Sequence, residues 1–462
     1  MLSLRPALSE QDVTRIHEHS LDVLQNVGID FKTRKALEIL EDRGCKVDYD
    51  RNWASIPPEL VEWAIKSAPR DVVLGARDPG RNLLLNGTRA HHTTDSQGTQ
   101  AIDLETGEIH DSCAEDLRRM LLFADALDKI DIVNVTVSAS DIPAHLRTIY
   151  HFAQAFTMTS KHVRTGVLNA QQVPFLVELA KAATGSDIFR PIFSAVDCTI
   201  SPLMHDGPMT EACIELAKLN VPVMVFPMPL AGGTSPVTLG GTLLMHNIEF
   251  LSGLVLLQCA NPGAPVIYGS EASQLDMQTG RYGGSADGYG MSTALVNLAR
   301  FYNIPANLRG LTTKSKQIDA QYGYESVSGT ILSYLAGADE IYSVGLLGAA
   351  QILSLEKMVF DNHLIHQLET MLTPINVDEA HLQADLIKRV GVGGEFLTAR
   401  ETLKYTREEY IPLWPPYDKD LMELMHAEAQ EILNTHTPPP LPQGAETRIQ
   451  EILREADKVL VG

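Results

Sequence analysis

Tyr268, Glu271, Arg309, Tyr324 and Glu325 fall within one short stretch of a 462-residue chain, and their types suit recognition of an organic cation. A tyrosine face attracts a quaternary ammonium through cation–π contact, about 0.5–2 kcal/mol each when desolvated. A carboxylate adds a Coulombic attraction. Tyr282, Tyr289, Tyr322 and Tyr342 crowd the same region of a chain that is only 6% aromatic; ordinary core packing is the competing role for any one of them. Arg309, in Asn307-Leu308-Arg309-Gly310, can grip a substrate carboxylate through two parallel hydrogen bonds, or pair with Glu271 or Glu325. Asp95, in Thr94-Asp95-Ser96-Gln97-Gly98, and Asp141 can extend an acidic rim or cap a turn. Gly232, Gly233, Thr234 and Ser235 precede a helical stretch, where bare backbone N–H groups can cradle a phosphate. No lysine follows at Walker spacing. The same glycines can instead form a side-chain-poor floor for a bulky planar cofactor, or simply cap the helix.

What must position these residues is a repeated cadence of short β-branched run, polar or glycine break, and helical stretch. Candidate strands lie at 91–94, 132–137, 162–167, 192–198, 221–226, 265–269, 306–310 and 340–344. Each is too short and too rich in Val, Ile and Thr for a helix, and most lead into segments of helical period. Alternation of this kind means a parallel sheet, and eight units close most naturally into a (β/α)8 TIM barrel. In such barrels chemistry sits at the C-terminal strand ends, where Asp95, Glu271 and Arg309 fall.

A bare barrel needs about 250 residues, leaving roughly 200 for additions. The sequence divides into an N-terminal helical extension (1–88), a barrel domain (89–375) and a C-terminal helical extension (376–462). The last contains a proline-rich hinge at 435–442 and a closing amphipathic helix, suited to packing on its own domain or on a sister subunit of a homo-oligomer.

The net charge of −21 argues against nucleic acid or an anionic membrane as partner. It fits a cationic substrate, a basic docking partner, or simply an acidic soluble enzyme. Five scattered cysteines without CxxC spacing indicate neither a disulfide framework nor a zinc knuckle. No signal segment and no apolar run of about 18 residues stand out, so a cytoplasmic, reduced protein is expected. No His-x-Glu or His-x-x-x-His pair lies at a strand end, so no bound metal is expected. Lys161 opens a strand at the wrong end for Schiff-base chemistry, whereas Lys314 and Lys316 remain open to it. Asp361-Asn362-His363-Leu364-Ile365-His366 begins like the corrinoid-binding Asp-x-His-x-x-Gly signature, but histidine replaces its glycine.

Several ordered blocks resemble the trimethylamine methyltransferase superfamily. They are Gly232-Gly233-Thr234-Ser235-Pro236-Val237-Thr238-Leu239, Asn261-Pro262-Gly263-Ala264-Pro265-Val266-Ile267-Tyr268-Gly269, Asp319-Ala320-Gln321-x-Gly323-Tyr324-Glu325 and Gly337-Ala338-Asp339-x-Ile341-Tyr342. The resemblance implies a (β/α)8 barrel that passes a methyl group from a methylamine to Co(I) of a separate small corrinoid protein, with no corrinoid held on this chain. Founding members of the family carry pyrrolysine near a strand end. This chain has none, and the corresponding region is expected around 310–316. Pyrrolysine-free members demethylate quaternary amines such as glycine betaine, proline betaine and carnitine. For this chain the resemblance therefore implies a quaternary amine donor held by Tyr268, Glu271, Arg309, Tyr324, Glu325 and Asp95, with the corrinoid approaching over Gly232, Gly233, Thr234 and Ser235. Two other readings fit the residues: a Schiff-base lyase or aldolase using Lys314 or Lys316, and a non-catalytic binder of quaternary amines.

Overall fold

Eight short strands close into a parallel barrel in the computed structural model, which describes residues 6–280, 282, 287–409, 414–416 and 418–461. They are β1 (His91–Thr94), β2 (Ile132–Asn134), β3 (His162–Gly166), β4 (Phe193–Asp197), β5 (Val223–Val225), β6 (Val266–Ser270), β7 (Ala306–Arg309) and β8 (Glu340–Val344). Every neighbouring pair is parallel, and β8 closes on β1 with Glu340 opposite His91. The helices that follow are α1 (Ala114–Ala126), α2 (Ala144–Met158), α3 (Val173–Thr184), α4 (Gly207–Lys218), α5 (Leu239–Ala260), α6 (Asp287–Phe301), α7 (Ala320–Ala336) and α8 (Leu355–Leu372). The (β/α)8 barrel expected from the alternation is the fold.

Side chains alternate in and out along each strand. Inside, Arg164 donates both terminal nitrogens to Glu340 (2.6 and 2.7 Å) and its Nε to Ser194 Oγ, while Asn307 Nδ2 also donates to Glu340. Arg164 and Glu340 are fully buried, so the barrel centre is a packed ionic core. Below it, Val72, Leu74 and Leu85 from the hairpin Val72–Leu74/Leu83–Leu85 join Ile132, Val196, Met224 and Ile267 in one apolar cluster and plug the N-terminal end. Function is thereby confined to the opposite mouth.

The N-terminal extension is not purely helical. Strands Ile29–Phe31, Lys46–Asp48 and Trp53–Ser55 form a small sheet that continues into Met204–His205 and Thr199–Ile200, beyond β4. Helix α5 also departs from expectation, being long and apolar enough to cross a membrane. It is instead mostly buried, packed against the helices Glu10–Asn26 and Pro58–Ser67. Two of its polar residues find partners inside the protein. Asn247 Nδ2 donates to Ser20 Oγ and Tyr302 Oη, and Glu249 accepts from Thr199, Ser201 and the Leu203 N–H.

At the C-terminal side, helix Leu421–Thr435 lies along α8, and helix Ala445–Val459 lies along α2 and α3. Arg77 holds the proline-rich connection between them, donating to the Pro439 and Pro440 carbonyls. Between α8 and these helices run three short ones, Glu379–Leu382, Ala384–Val390 and Arg400–Glu409.

Candidate functional site at the barrel mouth

Glu271 follows β6 directly, and its carboxylate is the hub of the mouth. Tyr342, from β8, donates its hydroxyl to one carboxylate oxygen, and Tyr282 donates to the other. Arg309, the last residue of β7, donates Nη1 to Glu271 Oε1 at 3.1 Å and Nη2 to the Ala272 carbonyl at 3.2 Å. Arg309 and Glu271 are both nearly inaccessible. Burial, reinforced by the Glu271 charge, pushes the Tyr342 pKa well above the usual phenol range, so it stays a neutral donor.

Phe226 meets Tyr342 edge-on with ring centroids 5.9 Å apart. It lies across the mouth because Gly269 opposite has no side chain: a Cβ there would come within 2.2 Å of the Phe226 ring and 2.8 Å of the Val225 carbonyl. Asp95 follows β1 and is buried. Burial raises its pKa to about 6 against the opposing Ser96 N–H bond (2.8 Å), the Lys357 charge and a hydrogen bond with Ser343; the nearby Glu271 charge adds to the rise.

The backbone behind the mouth is held under strain. Ser343 adopts φ 100°, a region L-residues rarely occupy. Its Oγ lies 2.7 Å from Thr312 Oγ1, and its carbonyl accepts from Lys357 Nζ at 3.1 Å. Lys357, fully buried on α8, also donates to the Leu311 carbonyl and to Asp361, which in turn accepts from Tyr322 Oη and the Gly345 N–H. One cation thus ties together the chain just past β7 and the end of β8.

Of the residues singled out from sequence, Glu271, Arg309 and Asp95 come together here, and three others do not. Tyr268 points away from the mouth into the helix layer. Its ring lies 4.0 Å from that of Phe250, and its hydroxyl is 3.2 Å from Asn247 and 3.3 Å from His246, all on α5. Adjacent strand residues face opposite sides, and Ile267 takes the inward one. Tyr324 stands on the outer part of α7, 64% exposed. Glu325 braces the loop after β7, accepting from Thr313 Oγ1 and the Lys314 N–H at 2.8 Å each. Asp141 accepts from the Ala114 N–H at the start of α1 and so serves as a cap. The Tyr289 side chain lies outside the described residues.

Phe226 was not anticipated, although inward-facing Met224 two residues earlier carries the signal for it. Lys314 and Lys316 are solvent-exposed, whereas a Schiff-base lysine works from within an apolar pocket. Among the described residues, no group of three or more His, Cys, Asp or Glu side chains could hold a metal ion.

The rim beside this pocket is built by the loop after β5. Gly232 (φ 83°) turns between Leu230 and Ser235, and a Cβ there would meet Met277 Sδ at 3.2 Å and Val237 at 3.5 Å. Met228, Val237, Leu239 and Met277 are exposed around it.

The chain matches the family model for trimethylamine methyltransferase (MTTB) over residues 3–457. It is 32% identical over 466 residues to a trimethylamine methyltransferase MttB of Desulfitobacterium hafniense, covering 97% of this chain and 93% of that protein. A Methanosarcina barkeri protein of the same name is 31% identical, covering 98% and 95%. A glycine betaine methyltransferase of Desulfitobacterium hafniense is 29% identical, covering 98% and 97%. The crystal structure of Methanosarcina barkeri monomethylamine methyltransferase (MtmB) shares the fold, with a TM-score of 0.51 at 13% identity over 98% of this chain and 93% of that one. With similarity extending over nearly its whole length, from the helical preface through the barrel to the last helix, the chain belongs to the trimethylamine methyltransferase (MTTB) family and is a methyltransferase.

Proposed function

We propose that this methyltransferase takes a methyl group from a quaternary amine of the glycine betaine type and delivers it to the Co(I) corrinoid of a separate small protein. The observation that carries this reading is the buried Glu271 carboxylate, held by the hydroxyls of Tyr342 and Tyr282, with the Phe226 ring edge-on to Tyr342 at the same mouth. An anion set among aromatic rings attracts a cation too weakly hydrated to resist desolvation. Asp95 adds a second carboxyl to the mouth, beside the Arg309 guanidinium.

Because a quaternary ammonium leaves as a neutral tertiary amine, the protein need not protonate it. The residues then have two tasks, to orient the cation and to exclude water from it. Tyr282 and Tyr342 fix the Glu271 carboxylate, and Phe226 supplies an apolar wall. The bare Gly232 turn and exposed Met228, Val237 and Met277 suit the approach of a large flat group with apolar edges. The corrinoid of the partner would supply the low-valent cobalt nucleophile.

Arg309 bears on the choice of donor. Both terminal nitrogens are engaged by Glu271 and Ala272, so the mouth reads the cation more directly than a substrate carboxylate. The test is to incubate the protein with reduced cobalamin and a panel of glycine betaine, proline betaine, carnitine, tetramethylammonium and trimethylamine, following the demethylated amine by NMR. Appearance of a tertiary amine from at least one donor is expected. Demethylation of trimethylamine alone would refute the quaternary reading.

A further inference from the structure

Given a quaternary amine donor, as proposed above, we infer that Asp95 supplies its counter-charge, holding a proton in the free protein and releasing it to solvent when the cation enters the mouth. Asp95, Glu271, Asp361, Arg309 and Lys357 are all buried around and behind the mouth. Three acids against two bases leave one negative charge without a cation. The hydrogen bonds show which acid that is. Glu271 accepts from Tyr342, Tyr282 and the Arg309 guanidinium. Asp361 accepts from the Lys357 ammonium at 2.6 Å, from Tyr322 Oη and from the Gly345 N–H at 2.9 Å. Each is an anion held by one cation and two neutral donors. Asp95 has the Ser96 N–H at 2.8 Å and a bond with Ser343, and among the described residues no cationic side chain lies within ion-pair distance of it.

A buried carboxyl in that position takes up a proton instead of bearing the charge. Burial accordingly lifts the Asp95 pKa to about 6; the Ser96 N–H, Lys357 on α8 and Ser343 on β8 oppose the rise, and Glu271 beyond β6 adds to it. Strand β2 brings no titratable side chain to the mouth. His151 of α2, which approaches Gln97, stays neutral because burial and the Arg147 charge lower its pKa to about 4. A quaternary ammonium cannot shed its charge. On entering, it supplies the missing cation, the Asp95 O–H bond breaks with its electron pair left on the carboxylate, and the proton passes to solvent. The buried set is neutral before and after the exchange. A betaine does the same with its carboxylate left toward solvent, since Arg309 is already engaged.

The test is isothermal calorimetry of tetramethylammonium binding to the full-length protein, in pairs of buffers that differ in ionisation enthalpy. From pH 7 to pH 5 the Kd should rise roughly tenfold, as a single group with a pKa of about 6 requires. The buffer dependence of the heat should report about one proton released per cation at pH 5 and almost none at pH 8. These measurements use wild type alone and need no variant to fold. Asp95→Asn should bind more weakly at pH 8, with a Kd independent of pH and no proton release. The uncharged analogue 3,3-dimethyl-1-butanol should release no proton from wild type. A pH-independent Kd without release in wild type, or linkage that survives in Asp95→Asn, would overturn the role of Asp95 and leave the quaternary reading standing. Failure of tetramethylammonium, glycine betaine and carnitine alike to bind would overturn both.

Discussion

Arg309 and Glu271 are a buried pair whose members depend on each other, and this sets what substitution can do. Arg309→Lys keeps the charge but loses the fork that holds both the Glu271 carboxylate and the Ala272 carbonyl. Demethylation of glycine betaine and of tetramethylammonium should therefore fall in parallel. A loss confined to betaine would mean instead that Arg309 binds the substrate carboxylate. Glu271→Gln keeps the shape and removes the charge. Losing on the order of 2 kcal/mol of Coulombic attraction should raise the donor KM roughly 10- to 100-fold; an unchanged KM would remove Glu271 from cation binding. Asp95 gives a pH signature. Its folded pKa of about 6 lies above the ordinary value of 3.8, so the folded state holds the proton more tightly. The stability this contributes is complete below about pH 4 and lost as pH rises through 6. Asp95→Asn should thus be more stable than wild type at pH 8, by on the order of 2–3 kcal/mol, and nearly equal to it at pH 4. Denaturant midpoints across that range would show the convergence, and a constant difference would mean that burial of the charge is not felt.

Between elements, the mouth depends on small residues that let large ones cross. Phe226 reaches over β6 only because residue 269 is glycine. In Gly269→Ala the new methyl meets both the ring and the Val225 carbonyl, and a backbone atom cannot swing aside as a side chain can. The variant should lose about 1–3 kcal/mol of stability by overpacking. It should also lose most of its demethylation activity, because the displaced ring disturbs Tyr342. Thermal unfolding and product formation measured together would check this, and full activity would mean that Phe226 is not part of the pocket wall. On the other side of the mouth, Lys357 reaches from α8 to carbonyls past β7 and near the end of β8, so a helix sets the loops rather than the reverse.

For the molecule as a whole, the Arg164–Glu340 pair ties β3 to β8 across the barrel axis, and the hairpin 72–85 seals the end beneath it. Arg164→Met leaves Glu340 buried without its cation and should cost about 3–5 kcal/mol. Adding Glu340→Leu should restore much of that loss, since the pair's own desolvation cost then disappears with it. A double variant no more stable than the single would assign the cost to packing instead of charge. The burial of α5 is also a property of the whole. Its composition would suit a membrane, but the barrel and the N-terminal helices cover it and bond Asn247 and Glu249.

The alternation of β-branched runs with helical segments determined the parallel barrel, and with it the end of each strand at which chemistry could occur. Asp95, Glu271 and Arg309 were legible for that reason, since each ends or follows a strand. Which way a residue inside a strand faces was not legible. Strands of a parallel barrel are buried on both sides and lack the polar–apolar alternation that would reveal their inner face. Tyr268 and Tyr342 look alike in sequence, yet one packs on Phe250 outside the barrel and the other reaches Glu271 within it. Partner choice was equally closed to inspection, because Arg309 could meet a substrate, Glu271 or Glu325 until loop geometry brought one carboxylate within 3.1 Å. Sequence thus fixed the location of the mouth through short-range periodicity, while the parity of each strand and the pairing of its charges followed from how eight strands close on one another.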